Sequence, residues 1–263
     1  MICNSIRDEL MEKERRLVSL LDGSLSEVRE KLIADVITAE ANLHSVRIEE
    51  PKALTYRAKN RRSARELNER RARCVANLAS AWKYGLVNFK NSHLDERLLQ
   101  NLAGRIVLGK DRALQYRKGM VRPTGARVTP PDPEKMKEEM SRLLRVVNDY
   151  GVAEHPIDAA LLLHYHLSRI HPFDDGNGRT ARTLQNLILI SRGFPLPVVS
   201  EGERFTYLSA LRRADDGYRA REGKIDFHVD RVSPGERDFY KYMTGKVIAS
   251  IDQLLDRPAS VEV

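Results

Sequence analysis

Cysteine is nearly absent: Cys3 and Cys74 are the only two in 263 residues. That excludes a disulfide framework or a thiolate-built zinc site and favours a reducing compartment. Aromatic residues make up 6% of the chain, with a single tryptophan. None of them alternates with the densest run of basic residues, as stacking on a single-stranded nucleic acid prefers. Long apolar runs are missing as well. The longest, Ala159–Leu163 and Leu187–Ile190, fall far short of the roughly 18 residues that cross a bilayer, so no membrane role is expected. Arg7, Asp8 and Glu9 stand where a secretory leader would carry its apolar segment, and the expectation is a cytosolic protein or one delivered into a host cell.

Hydrophobic residues make up 41% and charged residues 31% of the sequence, too apolar for a disordered chain. At roughly 100–200 residues per domain there is room for one large domain or a core with a smaller appendage. The 45 Lys and Arg residues against 37 Asp and Glu leave a net charge of +8, compatible with phosphate ligands, nucleic acid or acidic partners. The densest basic stretch, Arg57–Arg73, is diluted by Glu66 and Glu69 and reads as a solvated helix face. No zinc-finger or RNA-binding signature accompanies it.

Ser24-Leu25-Ser26-Glu27 forms a capping-box pattern. Val28, Leu32, Val36, Ala39, Leu43 and Val46 then recur at spacings of three and four, predicting a long amphipathic helix over about 24–50 that Pro51 must end. Leu67, Cys74, Leu78 and Trp82 predict a second helix stopping near Gly85, with Trp82 in the core. Tyr116–Thr129 carries short extended pieces around Pro123-Thr124-Gly125 and predicts a small β-hairpin. Asp132 and Pro133 then open a helix with the stripe Met136, Met140, Leu143, Leu144 and Val147. Another helix begins after His155-Pro156, carries Ile157, Ala160, Leu161 and His164 inward and reaches about Arg169. His164 and His166 lack matching metal ligands and read as structural or surface residues. Leu184, Leu187, Ile188 and Ser191 define the next helix, ending at Gly193, and Glu203–Ala214 and Phe239–Leu255 also favour helix. The fold expected is mainly α with one hairpin, and no internal repeat divides it.

The chemistry concentrates in His171-Pro172-Phe173-Asp174-Asp175-Gly176-Asn177-Gly178-Arg179-Thr180-Ala181-Arg182, between two of these helices. Glycines two apart let successive N–H groups face one centre, and the following helix adds the positive end of its dipole. Arg179 and Arg182 lie three apart in its first turns, so both guanidinium groups can hold one polyphosphate. Asp175 is a hard oxygen ligand suited to a magnesium ion that keeps several waters and bridges phosphate oxygens. His171 offers an imidazole able to take a proton from an attacking hydroxyl.

This segment resembles the signature of the Fic family, His-x-Phe-x-(Asp or Glu)-Gly-Asn-Gly-Arg-x-x-Arg, at every specified position. The resemblance runs from about Asn101 to His228. It implies a helical core with a hairpin flap and transfer of AMP from ATP to a side-chain hydroxyl (Tyr, Ser or Thr) of a target protein, with pyrophosphate leaving. By that resemblance His171 is the general base and Asp175 the Mg2+ ligand. Asn177 and Gly178 belong to the anion hole, Gly176 completes the nest, and Arg179 and Arg182 bind the triphosphate. Phe173 anchors the loop, and the 116–129 hairpin would add the target as a strand. Arg204–Leu211 resembles the family's nucleotide-side segment, with Tyr207 as a nucleoside contact and Leu208 in place of a frequent second tyrosine.

Ser45-Val46-Arg47-Ile48-Glu49-Glu50 resembles the family's inhibitory motif, Ser or Thr, three residues, Glu, then Gly or Asn, except at Glu50. Ser45 and Glu49 lie four apart and stack on one helix face. The resemblance implies that Glu49 pairs with Arg182 and blocks the productive γ-phosphate position. The layout expected is an N-terminal helical region (1–100), a Fic core (101–230) and a C-terminal helical segment (231–263). Removal of AMP from a modified protein, another donor such as UTP or a phosphocholine nucleotide, and nucleic-acid binding by the basic stretch stay open as alternatives, as does homo-oligomerisation.

Overall fold

A computed structural model describes residues 4–21, 38–49, 61–89, 93–123, 126–153, 155–220 and 232–256. Among them the chain forms nine α-helices: α1 (Asn4–Leu21), α2 (Thr38–Glu49), α3 (Arg61–Asn88), α4 (Glu96–Leu108), α5 (Met136–Ala153), α6 (Pro156–Ile170), α7 (Asn177–Ile190), α8 (Arg204–Arg219) and α9 (Pro234–Leu255). None of them is long and apolar enough to cross a membrane.

The centre is the α6–α7 pair. Every α6 position from Ile157 to Leu167 is buried, the pattern of a helix surrounded by protein on all sides. His155 caps its start by accepting the Ile157 N–H, and Pro156 follows where its missing N–H costs nothing. Around this pair pack α5 on one side, α3 and α4 on another, and α8 with α9 on a third. The expected stripe Met136, Met140, Leu143, Leu144 and Val147 is buried, as is Trp82. His164 and His166 are core residues. Asp132 makes no cap bond; a short 3₁₀ turn, Pro133–Lys135, leads into α5 instead.

Three expectations are corrected or left aside. α3 continues past Gly85 to Asn88. Gly85 serves a close helix crossing, because a Cβ there would meet the Leu187 side chain of α7 at 2.5 Å. Leu43, expected in the apolar stripe of the 24–50 helix, is exposed, whereas Ala41, Ser45, Val46 and Ile48 are buried. The capping box Ser24–Glu27 lies outside the described residues.

The hairpin at Tyr116–Thr129 is not seen. Residues 116–123 and 126–129 contain no strand, and Ala126 N–H closes a turn on the Pro123 carbonyl at 3.1 Å. A buried side chain takes over the role of a ladder. Arg117 Nε donates to the His171 carbonyl (2.8 Å), Nη1 to Gly119 (2.8 Å) and Nη2 to Pro131 (2.5 Å). Its backbone N–H donates to Pro172 at 2.9 Å. The Arg117 N–H and the Gly119 carbonyl, both within the expected hairpin, are thereby bonded outside any cross-strand ladder.

Candidate active site

The loop between α6 and α7 is organised by its own bonds. Asn177 accepts the Phe173 N–H through Oδ1 (2.9 Å) and donates from Nδ2 to the Phe173 carbonyl (2.8 Å), closing the turn. The Phe173 ring is fully buried, its centroid 5.7 Å from that of Tyr116. Gly176 caps α7 with φ at 79°, a conformation that favours glycine. Its N–H donates to Asp175 Oδ1 at 2.6 Å.

His171 ends α6 with φ at 53°, the only non-glycine positive φ among the described residues. Two contacts hold it there: its N–H reaches the Leu167 carbonyl (3.0 Å), and its own carbonyl accepts from Arg117. The imidazole Nδ1 lies 3.2 Å from the Ser168 carbonyl. A carbonyl only accepts, so Nδ1 carries the hydrogen and Nε2 keeps its lone pair. Burial lowers the pKa of this histidine, the Ser168 bond raises it less, and the nearby Arg117 charge lowers it again. The ring is therefore neutral at pH 7, with a basic nitrogen available.

His171 lines a cavity of about 510 Å³ together with Glu49, Asp175, Gly178, Arg179 and Arg182. Arg179 is buried; Nη2 donates to Asp175 Oδ1 (3.1 Å), Nη1 meets Cys74 Sγ on α3 at 3.4 Å, and Nε has no partner. Arg182 is held by α2. Its Nε donates to Ser45 Oγ (2.8 Å), Nη2 to the Ser45 carbonyl (3.1 Å) and to Glu49 Oε1 (2.8 Å), and Nη1 to Tyr207 Oη (3.2 Å). The Glu49 carboxylate lies over Gly178, where any Cβ would strike it. Arg204, at the start of α8, closes the end of α2 by donating to the Ile48 carbonyl at 2.6 Å.

The residues singled out from the sequence thus converge, with two refinements. The Asn177 side chain is committed to the loop, which leaves only its backbone free at the helix start. Tyr207 is 1% exposed and its hydroxyl is bonded to Arg182 and to His164. Three further groups carried no local signal: Arg117, Arg204 and Asp215. The last lines the cavity, as do Val128, Tyr165, Leu208 and Leu211. Its buried carboxylate accepts the Arg127 N–H at 3.0 Å and the Tyr165 hydroxyl at 3.4 Å. Burial raises its pKa against the opposing effect of those donors.

Among the described residues no cluster of three metal-ligating side chains exists. Asp175 is a single, largely exposed carboxylate whose Oδ1 carries both of its bonds. Such a donor suits Mg2+, which dehydrates reluctantly and draws its other ligands from water and phosphate.

Residues 93–189 match the Fic/DOC family. Two curated relatives are named protein adenylyltransferases. One, from Nematostella vectensis, is 42% identical over 93 residues, covering 34% of this chain and 21% of that protein. The other, from Caenorhabditis briggsae, is 37% identical over 125 residues, 47% of this chain and 23% of that protein. The chain thus spans about a fifth of the length of these relatives. A Fic domain-containing signalling protein from Bacteroides thetaiotaomicron superposes with a TM-score of 0.65 at 22% identity, over 93% of this chain and 95% of that one. Fic-1 from C. elegans gives 0.65 at 23% identity, over 96% and 72%. IbpAFic2, solved covalently tethered to Cdc42, gives 0.53 at 19% identity, over 92% and 70%. These likenesses establish the fold.

Proposed function

We propose that this chain is a protein adenylyltransferase that moves AMP from ATP to a side-chain hydroxyl of a target protein and is held inactive by α2. One observation carries the reading: a neutral imidazole, a carboxylate, a glycine-lined helix start and two buried guanidinium groups meet in a single cavity. The relatives' names and the tethered Cdc42 complex support a nucleotide donor and a protein acceptor.

In this reading the α7 start, Arg179 and Arg182 receive the triphosphate. The slot between Val128, Leu208 and Leu211 takes the base. The target hydroxyl attacks the α-phosphorus as its proton passes to His171 Nε2; an O–P bond forms, the bond to the β-phosphate oxygen breaks, and pyrophosphate leaves. Asp175 would hold Mg2+, which neutralises phosphate charge when bound. The remaining acceleration comes from alignment and fixed donors. The target is positioned by segment 116–131, which Arg117 ties to the carbonyl of the catalytic histidine.

Glu49 occupies the partner position on Arg182 that a terminal phosphate requires. The pair is buried on the arginine side and half-open on the glutamate side, so α2 is a removable cover. Because Glu49 borders the same cavity as His171, it is also placed to orient a water, and removal of AMP is the second reading.

The test uses labelled ATP with wild type, Glu49→Gly and Glu49→Gly/His171→Ala. The glycine variant is expected to label itself or a lysate protein more strongly than wild type. Adding His171→Ala should lower transfer on the order of 10²–10⁴-fold while ATP still binds. Equal labelling by all three would discard the reading, and release of AMP from a modified protein by wild type alone would favour the second.

A further inference from the structure

Arg182 has two sets of partners. Three of its four hydrogen bonds go to Ser45 and Glu49 on α2; the fourth goes to Tyr207 on α8. Release of α2 would strip away the first three together. A long cationic side chain left with water has many rotamers, and ordering it again on each binding event costs affinity.

Behind Tyr207 runs a buried chain of bonds. Tyr207 Oη lies 2.8 Å from His164 Nε2, His164 Nδ1 lies 2.5 Å from Gln185 Oε1, and Gln185 Nε2 donates to Asn186 Oδ1 at 3.0 Å. The direction of every hydrogen follows from the arginine end. A guanidinium only donates, so the Tyr207 oxygen accepts from it, and the phenolic hydrogen goes to His164 Nε2. That places the imidazole hydrogen on Nδ1, facing Gln185 Oε1, which leaves the Gln185 amide to donate to Asn186. The four residues alternate donor and acceptor without conflict. Full burial pushes the His164 pKa down to about 3, with the Gln185 bond opposing and the Arg182 charge assisting, so Nε2 stays an acceptor. Phe239 stands edge-on to the imidazole at 5.3 Å and fixes its plane.

We propose that Gln185, His164 and Tyr207 form a positioning relay that keeps the Arg182 guanidinium aimed into the cavity once α2 has left. The relay rests on the reading of Arg182 as a triphosphate arm. Tyr207 is accordingly a positioning residue whose hydroxyl acts through Arg182. His164, 0% exposed and 21 residues from Gln185 in sequence, sets the direction of that hydroxyl. The ligand group that senses the relay is the terminal phosphate, because only Arg182 is governed by it. A ligand lacking the β- and γ-phosphates is indifferent.

The experiment compares Glu49→Gly with Glu49→Gly/Tyr207→Phe and Glu49→Gly/His164→Phe. Calorimetric affinities are measured for ATP and for AMP, and a thermal melt checks folding. Tyr207→Phe removes one oxygen, and His164→Phe keeps a ring against Phe239. Both double variants are expected to bind ATP on the order of tenfold more weakly, the scale of one charge-assisted hydrogen bond, with AMP affinity changed less than twofold. Equal weakening of both nucleotides would make the residues packing elements of the base slot and overturn the relay, as would unchanged ATP affinity in either variant. Failure of Glu49→Gly itself to bind ATP would instead overturn the nucleotide reading, and the relay with it.

Discussion

Loop 171–182 and the two segments that cover it are held in opposite ways. Within the loop the bonds are local: Asn177 to Phe173, Asp175 to Gly176, Arg179 to Asp175 and His171 to Leu167 each join residues no more than four apart. The covers are attached from a distance. Arg182 grips Ser45 and Glu49 across more than 130 residues, Arg204 grips Ile48 across 156, and Arg117 grips His171 across 54. A locally bonded loop keeps its shape when its surroundings move, whereas covers bonded through long side chains can leave as units. On the proposed reading the site is thus preorganised and its access adjustable.

The sharpest way to break this contrast is Asn177→Ala, which leaves the buried N–H and carbonyl of Phe173 without partners. The cost is about 2–4 kcal/mol, read as a lower denaturant midpoint. Transfer in the Glu49→Gly background should fall on the order of 10²-fold, the effect of displacing reacting groups by about an ångström. Ser45→Ala probes a cover instead. With Glu49 intact but one charge-assisted bond to Arg182 gone, self-labelling should rise about tenfold with no loss of stability in the loop, checked by the same melt and label assays. Arg117→Met loosens the other cover; in the Glu49→Gly background transfer should drop about tenfold while ATP affinity measured by calorimetry stays within twofold.

The smallest effect is on pH. On the proposed reading His171 must be unprotonated to act, and burial lowers its pKa below the ordinary value, with Arg117 adding to the lowering. In the Glu49→Gly variant the rate should therefore fall on acidification only below about pH 6.5. Arg117→Met removes a neighbouring cation, makes protonation easier and should move that acid limb to higher pH. A limb that stays in place would separate the clamp from the base.

What could be read from the sequence follows the same division. The loop was legible because its parts are adjacent: His171, Asp175, Gly176, Gly178, Arg179 and Arg182 sit within a dozen residues, and spacing alone puts both arginines on one side of a helix. Ser45 and Glu49 were legible because a separation of four stacks them on one face. Arg117 was not, since one arginine in a basic stretch looks like solvated charge until the fold brings three carbonyls around it. The same segment suggests a hairpin because its turn residues are right, yet its Arg117 N–H bonds to Pro172 and its Gly119 carbonyl to the Arg117 side chain. Tyr207 lines the cavity from α8, and its hydroxyl also meets His164, 43 residues away, a pairing with no periodicity to announce it. Counting apolar residues puts Leu43 in a buried stripe, while α2 turns its Ser45 side inward to meet a charge.

One guanidinium is at once the anchor of the cover and, on the proposed reading, the hand that takes the donor. Any substitution at Arg182 that unlatches α2 also disarms the pocket, so gain-of-function variants can arise on α2 or at its tether Arg204 but never at the arginine itself. A genetic screen for hyperactive alleles should therefore map the brake from one side only.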